Sequence, residues 1–317
     1  MMDNVSVIKV FYLSGLSETM NYRSVLFSLT LLCYCVILLA NITLIVTIIL
    51  DKNLHEPMYI LLCAFCMNGL YGSTGFFPKC LWDLLSPVHV ISYSGCLVQV
   101  QVLYSFAGSD LSILAVMAYD RYVAICRPLQ YHSIMSKKRI IKLMCFSWLT
   151  PFCLMAINNS LTSRLKLCSP YIARLFCVNW IIVTLACFPA ETMVNSIFAN
   201  ITIIVYISHG VFIVWSYIYI IRTCVNSIEK RPKFMQTCVP HLLSLITLLF
   251  TLFFDFINLR FGSKSLPQHL KNFAEIEFLV IPPLMNPVIY GFKLNKIRNK
   301  FLNLLLLKRD PDVPETD

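Results

Sequence analysis

The residues able to do chemistry in this chain cluster in one apolar run. Asp120 and Arg121 stand side by side at the end of Val90 to Tyr119, a stretch whose only charge is Asp110. An adjacent acid and base can form an ion pair. A lone acid inside an apolar helix can bind a cation, carry a proton or hydrogen-bond a neighbouring helix. Signatures of enzyme chemistry are missing: there is no HExxH, GxSxG or phosphate-binding loop, and the 6 histidines are scattered. No enzyme activity, cofactor or metal is expected.

The elements that must position these residues are membrane spans. The 317 residues are 58% hydrophobic and 13% charged, and the mean hydropathy is +0.72. A helix crosses the hydrocarbon core with roughly 20 apolar residues. Runs of that kind occur at Ser24 to Leu50, Pro57 to Pro78, Val90 to Tyr119, Leu143 to Ser163, Thr192 to Ile221 and Phe234 to Phe254. A seventh, Phe278 to Phe292, reaches full length only if extended back toward Leu270 across Glu275 and Glu277. The expectation is an all-α membrane protein: a tail over 1–23, a seven-transmembrane helix bundle over 24–292, and a cytoplasmic amphipathic helix with an acidic end over 293–317. That helix alternates basic and apolar residues as if lying on membrane lipid.

Orientation follows from the basic residues. The connections after spans one, three and five hold Lys52, Arg121, Arg127, Lys137, Lys138, Arg139, Lys142, Arg222, Lys230, Arg231 and Lys233; the tail adds Lys293, Lys296, Arg298, Lys300, Lys308 and Arg309. The positive-inside rule then puts the N-terminus outside. No secretory signal peptide is evident, so the first span serves as the targeting signal. The net charge of +10 reads as an inner collar near anionic lipid, with no need of nucleic acid. Most of the 14 cysteines lie in spans and act as small hydrophobes, but Cys96, Cys168, Cys177 and Cys187 fall on the oxidising side, where bridges can form. Asn4-Val5-Ser6 is a glycosylation sequon in the outer tail; the matches at Asn41 and Asn200 lie inside spans, beyond the transferase's reach.

Helix arithmetic separates the three charges. The 25 steps from Cys96 to Arg121 span roughly 37 Å, which puts Arg121 at the inner mouth. Asp110 lies about 16 Å deeper, near mid-membrane, on the same helical stripe. Two readings stay open for it: a polar staple between helices, or a cation or proton site used in switching.

MAYDRYVAIC, Met117 to Cys126, resembles the third-span signature of the odorant receptors, a branch of the rhodopsin-like G-protein-coupled receptors. Further blocks appear in the family's order. Leu54 to Tyr59 is similar to LHxPMY, Ser216-Tyr217 to the SY of span five, KFMQTCVPHL from Lys233 to KAxxTCxxHL, and PPLMNPVIY from Pro282 to PPxxNPxIY; Asn41 matches the asparagine of span one. The resemblance implies roles. Arg121, held at rest by Asp120 and followed by Tyr122, would be an inner latch freed on activation to meet a G-protein alpha subunit. Tyr290 and Tyr217 would swing toward it, Asn286 and Pro287 would kink span seven, and Lys233 to His241 would be the inner end of a moving sixth span. Bridges would join Cys96 to Cys177 and Cys168 to Cys187.

Departures from the family pattern bear on function. Its second-span acid is replaced by Gly69, beside Asn68, which weakens an ion site at Asp110 with Asn286. Its span-six FYG is replaced by Leu248-Leu249-Phe250. The strings NGLYG (Asn68 to Gly72) and FGSKSLPQ (Phe261 to Gln268) resemble fish-type odorant receptors. By analogy with the fold, a ligand pocket would be lined by Tyr104, Ala107, Gly108 and Leu111; by Ile201, Thr202 and Val205; by Leu252, Asp255 and Phe256; and by Ile276 and Leu279. Each has ordinary helix packing as its alternative, and Asp255 either pairs with Arg260 or meets a ligand amine. The implied activity is odorant binding inside the bundle and activation of a stimulatory, olfactory-type heterotrimeric G protein that raises cyclic AMP. Arrestin and a receptor kinase would be further partners, and the plasma membrane of olfactory cilia the location. A receptor for an internal ligand, and a transporter or channel using Asp110, are the competing readings.

Overall fold

The structure, a computed structural model, describes residues 8–16, 22–225, 231–261 and 268–293. Seven long helices form the bundle: α1 (Arg23–Leu50), α2 (Pro57–Leu85), α3 (Tyr93–Cys126), α5 (Lys137–Thr162), α7 (Met193–Val225), α8 (Arg231–Phe261) and α9 (Gln268–Lys293). Two short helices, α4 (Tyr131–Ile134) and α6 (Asn179–Thr184), lie in connections. Among the described residues, six of these helices are long and apolar enough to cross a membrane, and α8 adds a shorter apolar stretch, Cys238–Phe254. The protein is a multi-pass, all-α membrane protein. Asn4 and the segment after Lys293 lie outside the described residues.

The helix ends follow local chemistry. Asp51 accepts the Asn53 amide at 2.9 Å just past α1. Pro57 opens α2, where its missing N–H would have no partner anyway. Ser92 Oγ caps α3 by accepting from the Gly95 amide at 3.0 Å. The third span is shorter at this end than its apolar run suggests, because Val90–Ser92 is a strand, β2.

That strand belongs to a sheet over one end of the bundle. β1 (Val10–Leu13) is the middle strand, antiparallel to β2 with Phe11 opposite Ile91, and parallel to β3 (Tyr171–Ile172) with Leu13 opposite Ile172. Phe11 and Ile172 are fully buried beneath it, in a cluster that includes the bonded Cys96 and Cys177. A second bridge joins Cys168 to Cys187 in the same lid. The expected N-terminal tail is therefore, over Val10 to Leu13, an ordered part of the roof.

Helix α3 runs through the centre, and most of its side chains are buried. It meets α2 closely because Gly72 lacks a side chain: a Cβ there would stand 2.4 Å from Phe106 Cγ. Apolar side chains such as Leu32, Leu39, Ile204, Ile207 and Val211 face outward on α1 and α7, as a lipid-facing surface requires. Helix α9 contains Pro282, Pro283 and Pro287. Pro287 has no N–H to offer the carbonyl four residues back, that of Pro283. Asn41 of α1 donates to this carbonyl instead, at 2.9 Å. The same amide nitrogen donates to Ile37 O at 2.9 Å, so both amide protons are used and Asn41 fixes α1 against α9.

Candidate functional site

Three polar sites occur along α3, and the sequence of this helix places them in order. Farthest from the sheet, the buried Arg121 donates through Nε to Asp120 Oδ2 at 2.9 Å, with a second, closer contact through Nη2. Asp120 is wholly buried. Its other oxygen accepts from Tyr131 Oη of α4 at 2.8 Å. Burial, followed by the Asp120 carboxylate, pushes the Tyr131 phenol above its ordinary range, so it remains a donor at neutral pH. Asp120 is thus held from both sides, and Arg121 is turned toward it.

Next to this pair, His241 of α8 joins three helices. Its Nε2 lies 2.9 Å from the Leu114 carbonyl of α3, and its Nδ1 lies 2.5 Å from Tyr217 Oη of α7. A carbonyl can only accept, so Nε2 carries the proton and Nδ1 accepts from the tyrosine. The Tyr217 and His241 rings also stack, with centroids 5.5 Å apart. Tyr290 and Asn286 of α9 are buried nearby in sequence, with Pro287 between them. Tyr122 does not join the latch. Its ring turns toward α7, 5.6 Å from Trp215 and 6.3 Å from Tyr219, with the Arg127 guanidinium 6.0 Å over its face. The side chain of Lys233 lies outside the described residues.

Asp110 is 1% exposed. One of its oxygens accepts from Asn68 Nδ2 of α2 at 2.7 Å, and the same nitrogen donates to Phe106 O at 2.9 Å. Asn68 therefore serves as the staple partner. From sequence it stood out only as the neighbour of the missing second-span acid. Asp110 Oδ2, Asn68 Oδ1 and Asn286 Oδ1 are buried without a hydrogen-bond partner among the described residues.

The third site is a cavity of about 440 Å³ between α3, α5, α7 and the lid helix α6. Six of the anticipated residues line it: Tyr104, Ala107, Gly108, Leu111, Thr202 and Leu252. Gly108 is required by its neighbour, since a Cβ would come within 2.1 Å of the Tyr206 hydroxyl. Four anticipated residues are placed elsewhere. Ile201 is 47% exposed and points away, and Val205 is also absent from the lining. The reason is register: α7 presents Asn195, Ala199, Thr202 and Tyr206, spaced three and four apart, on its inner face. Ile276 and Leu279 instead pack in the aromatic cluster of Phe76, Phe106 and Phe278 below the sheet. The side chains of Asp255 and Phe256 lie outside the described residues.

The fourth wall had no counterpart in the sequence reading. Met155 and Asn158 of α5, with Asn179, Trp180 and Val183 of the lid, complete the cavity. Asn158 Nδ2 reaches Thr202 Oγ1 at 3.3 Å, Thr162 Oγ1 reaches Asn179 Oδ1 at 2.9 Å, and Asn195 Nδ2 donates to Thr162 Oγ1 at 3.2 Å. A detectable signal exists: Asn158 and Thr162 are four apart, and Asn195 and Thr202 seven apart, each pair on one face of its helix.

A lidded cavity near one end of a central helix and an arginine held by its own neighbour at the other define a class, the rhodopsin-like seven-helix receptors. The olfactory receptor family model matches residues 30–308, and the chain belongs to that family. It is 35% identical over 302 residues to olfactory receptor 1D2 of Pan troglodytes, covering 94% of this chain and 95% of the relative. It is 32% identical over 314 residues to olfactory receptor 5AR1 of Mus musculus, covering 96% and 97%. To olfactory receptor 2S2 of Homo sapiens it is 32% identical over 311 residues, again covering 96% and 97%. The fish-type likeness is carried by its two quoted strings alone.

Proposed function

We propose that this receptor binds a small odorant in the cavity between α3, α5, α7 and α6, and that binding releases Arg121 to engage a stimulatory, olfactory-type G-protein alpha subunit and raise cyclic AMP. The observation that carries the reading is the layout of α3. One rigid helix bears cavity residues Tyr104 to Leu111 and, nine residues on, the Asp120–Arg121 pair. His241 ties that same helix to α7 and α8, so a ligand that moves those helices must act on the Leu114 contact. Only a difference in affinity between resting and active forms is needed.

In this reading the sheet end faces outside, carrying Asn4 as a glycan acceptor, and the Arg121 end faces the cytoplasm. Tyr217, His241, Asn286, Pro287 and Tyr290 act as the switch, Lys233 contacts the G protein, and arrestin and a receptor kinase follow it at the same face. The receptor resides in the plasma membrane of olfactory cilia, its segment after Lys293 lying on lipid. Asp110 acts as a staple to Asn68; the bond between them favours this over an ion site. The test is expression with an olfactory alpha subunit and a cyclic AMP readout across volatile and water-soluble odorants. Signal from an odorant, lost in Arg121→Ala at normal surface expression, supports the proposal. Silence to every odorant, or an ion current that depends on Asp110, overturns it.

A further inference from the structure

We infer that the cavity selects an uncharged ligand with a carboxamide-like head, able to donate and to accept hydrogen bonds, on an apolar body. The inference rests on the receptor reading above for its biological use, but its physical basis is the lining itself. Among the described residues no Asp, Glu, Lys or Arg lines the cavity. The nearest acid on α3, Asp110, is turned toward α2 by its bond to Asn68. Against this described lining, a charged ligand head would lose its water without gaining a counter-charge, the costliest kind of burial.

The polar groups that do line the cavity are gathered on one side. Asn158 of α5, Asn179 of the lid and Asn195 of α7 form a collar, linked through Thr162 and Thr202 by contacts of 2.9 to 3.3 Å. Primary amides offer donors and acceptors together, so their natural complement is a group that offers both. Ser196 and Asn200 of α7 extend the polar side, and the opposite wall, Ala107, Gly108, Leu111, Met155 and Leu252, is apolar beside the Tyr104 and Tyr206 hydroxyls. At about 30 Å³ per water-sized group, the 440 Å³ holds roughly 15 such groups, which suits straight-chain primary amides of about eight to twelve carbons. The collar also links α5, α7 and α6 directly, so a head that competes for its bonds changes how those elements sit on α3.

The experiment uses the full-length receptor in lipid nanodiscs and reads thermal stabilisation by octanamide, dodecanamide, octanoate and octylamine. Ala107→Phe, which fills the cavity from α3 and leaves the collar intact, defines the specific part of each shift. At least one amide is expected to half-saturate at a concentration at least tenfold below octanoate and octylamine. Asn158→Leu and Asn195→Leu should each raise that concentration at least tenfold. If either fails to fold, the Ala107→Phe comparison still decides. Octylamine is the sharpest control, because no described acidic side chain lines the cavity to pair with an amine. Equal or tighter binding of either charged probe overturns the inference. So does the lack of any amide shift, or an amide shift that survives Ala107→Phe. Specific amide binding with no cyclic AMP signal from any amide or odorant would uphold the ligand class and count against the G-protein reading instead.

Discussion

Tyr131→Phe is the most informative perturbation of the latch. It deletes one hydroxyl and leaves ring packing in place. The lost bond, Tyr131 Oη to Asp120 Oδ1 at 2.8 Å, ends on a wholly buried carboxylate that is also the partner of Arg121. A hydrogen bond to a charged group contributes about 1.5–3 kcal/mol. Tyr131 is only partly buried, so water can replace some of it, and the lower end of the range applies. About 1.4 kcal/mol is a tenfold change in an equilibrium constant, so the resting form should lose about tenfold against the active one. Ligand-free cyclic AMP, normalised to surface receptor, should rise severalfold, and the half-maximal ligand concentration should fall. Alkaline buffer should not reproduce the effect. The phenol's pKa is raised in the folded receptor, by burial first and the carboxylate second, so it keeps its proton as the pH climbs past that of an ordinary tyrosine. Unchanged basal signal and unchanged ligand potency at normal surface levels would refute the idea that Asp120 is restrained from this side.

The cavity, the α1 contact and the lid each yield a further test. Gly108→Ala places a methyl 2.1 Å from the Tyr206 hydroxyl and 2.9 Å from Pro151 Cβ; Tyr206 must swing aside, and ligand potency in the cyclic AMP assay should drop at least tenfold while surface expression holds. Asn41→Leu removes the donor to Pro283 O and Ile37 O; leaving the proline-freed carbonyl buried should cost about 1–3 kcal/mol, read as a lower melting temperature in nanodiscs. Glu275→Gln breaks the pair with Arg174 at 2.9 Å, in which the two side chains are 0% and 8% exposed. Disrupting a buried pair costs about 3–5 kcal/mol, so the melting temperature and surface yield should fall sharply, more than for a swap at the exposed Glu191.

What could be read from the sequence divides along physical lines. The bundle was legible because a bilayer demands long apolar runs, and residues such as Leu32 or Ile204 carry that signal one by one. Asp110 and Arg121 were placed by helical arithmetic alone. The roof was not legible: Val10–Leu13 is a four-residue strand whose partners lie near residues 91 and 172, and so short a segment has no periodicity to reveal a non-local pairing. The cavity was half legible. The α3 stripe from Tyr104 to Leu111 follows from spacing, but the α7 register was misplaced by one residue at Ile201, enough to turn that side chain by about 100° and out of the bundle. The α5 wall is not legible, because in sequence Asn158 and Thr162 are isolated polar residues and only the fold brings Asn195 and Asn179 against Thr162.

These polar contacts share one design, which bears on how a signal would travel. In lipid the apolar faces of helices have no preference for one another over acyl chains, so register must come from packing and from hydrogen bonds between helices. Asn41 binds α1 to the Pro283 carbonyl of α9, Asn68 binds α2 to the Phe106 carbonyl and Asp110 of α3, and His241 binds α8 to the Leu114 carbonyl of α3. The asparagine contacts use both amide protons of one nitrogen, which makes them stiff. The histidine contact uses a single N–H, and its other ring nitrogen depends on Tyr217 of a third helix. Of the three, the last is the least constrained, and it lies between the cavity and the latch, about three residues beyond Leu111 and six before Asp120. A hydrogen-bonded helix such as α3 does not shorten, so a ligand cannot pull on Arg121 along it. In the receptor reading proposed above, the consistent route is sideways: displacement of α7 and α8 against α3 at the Tyr217–His241–Leu114 junction, with α1 and α2 anchored by Asn41 and Asn68.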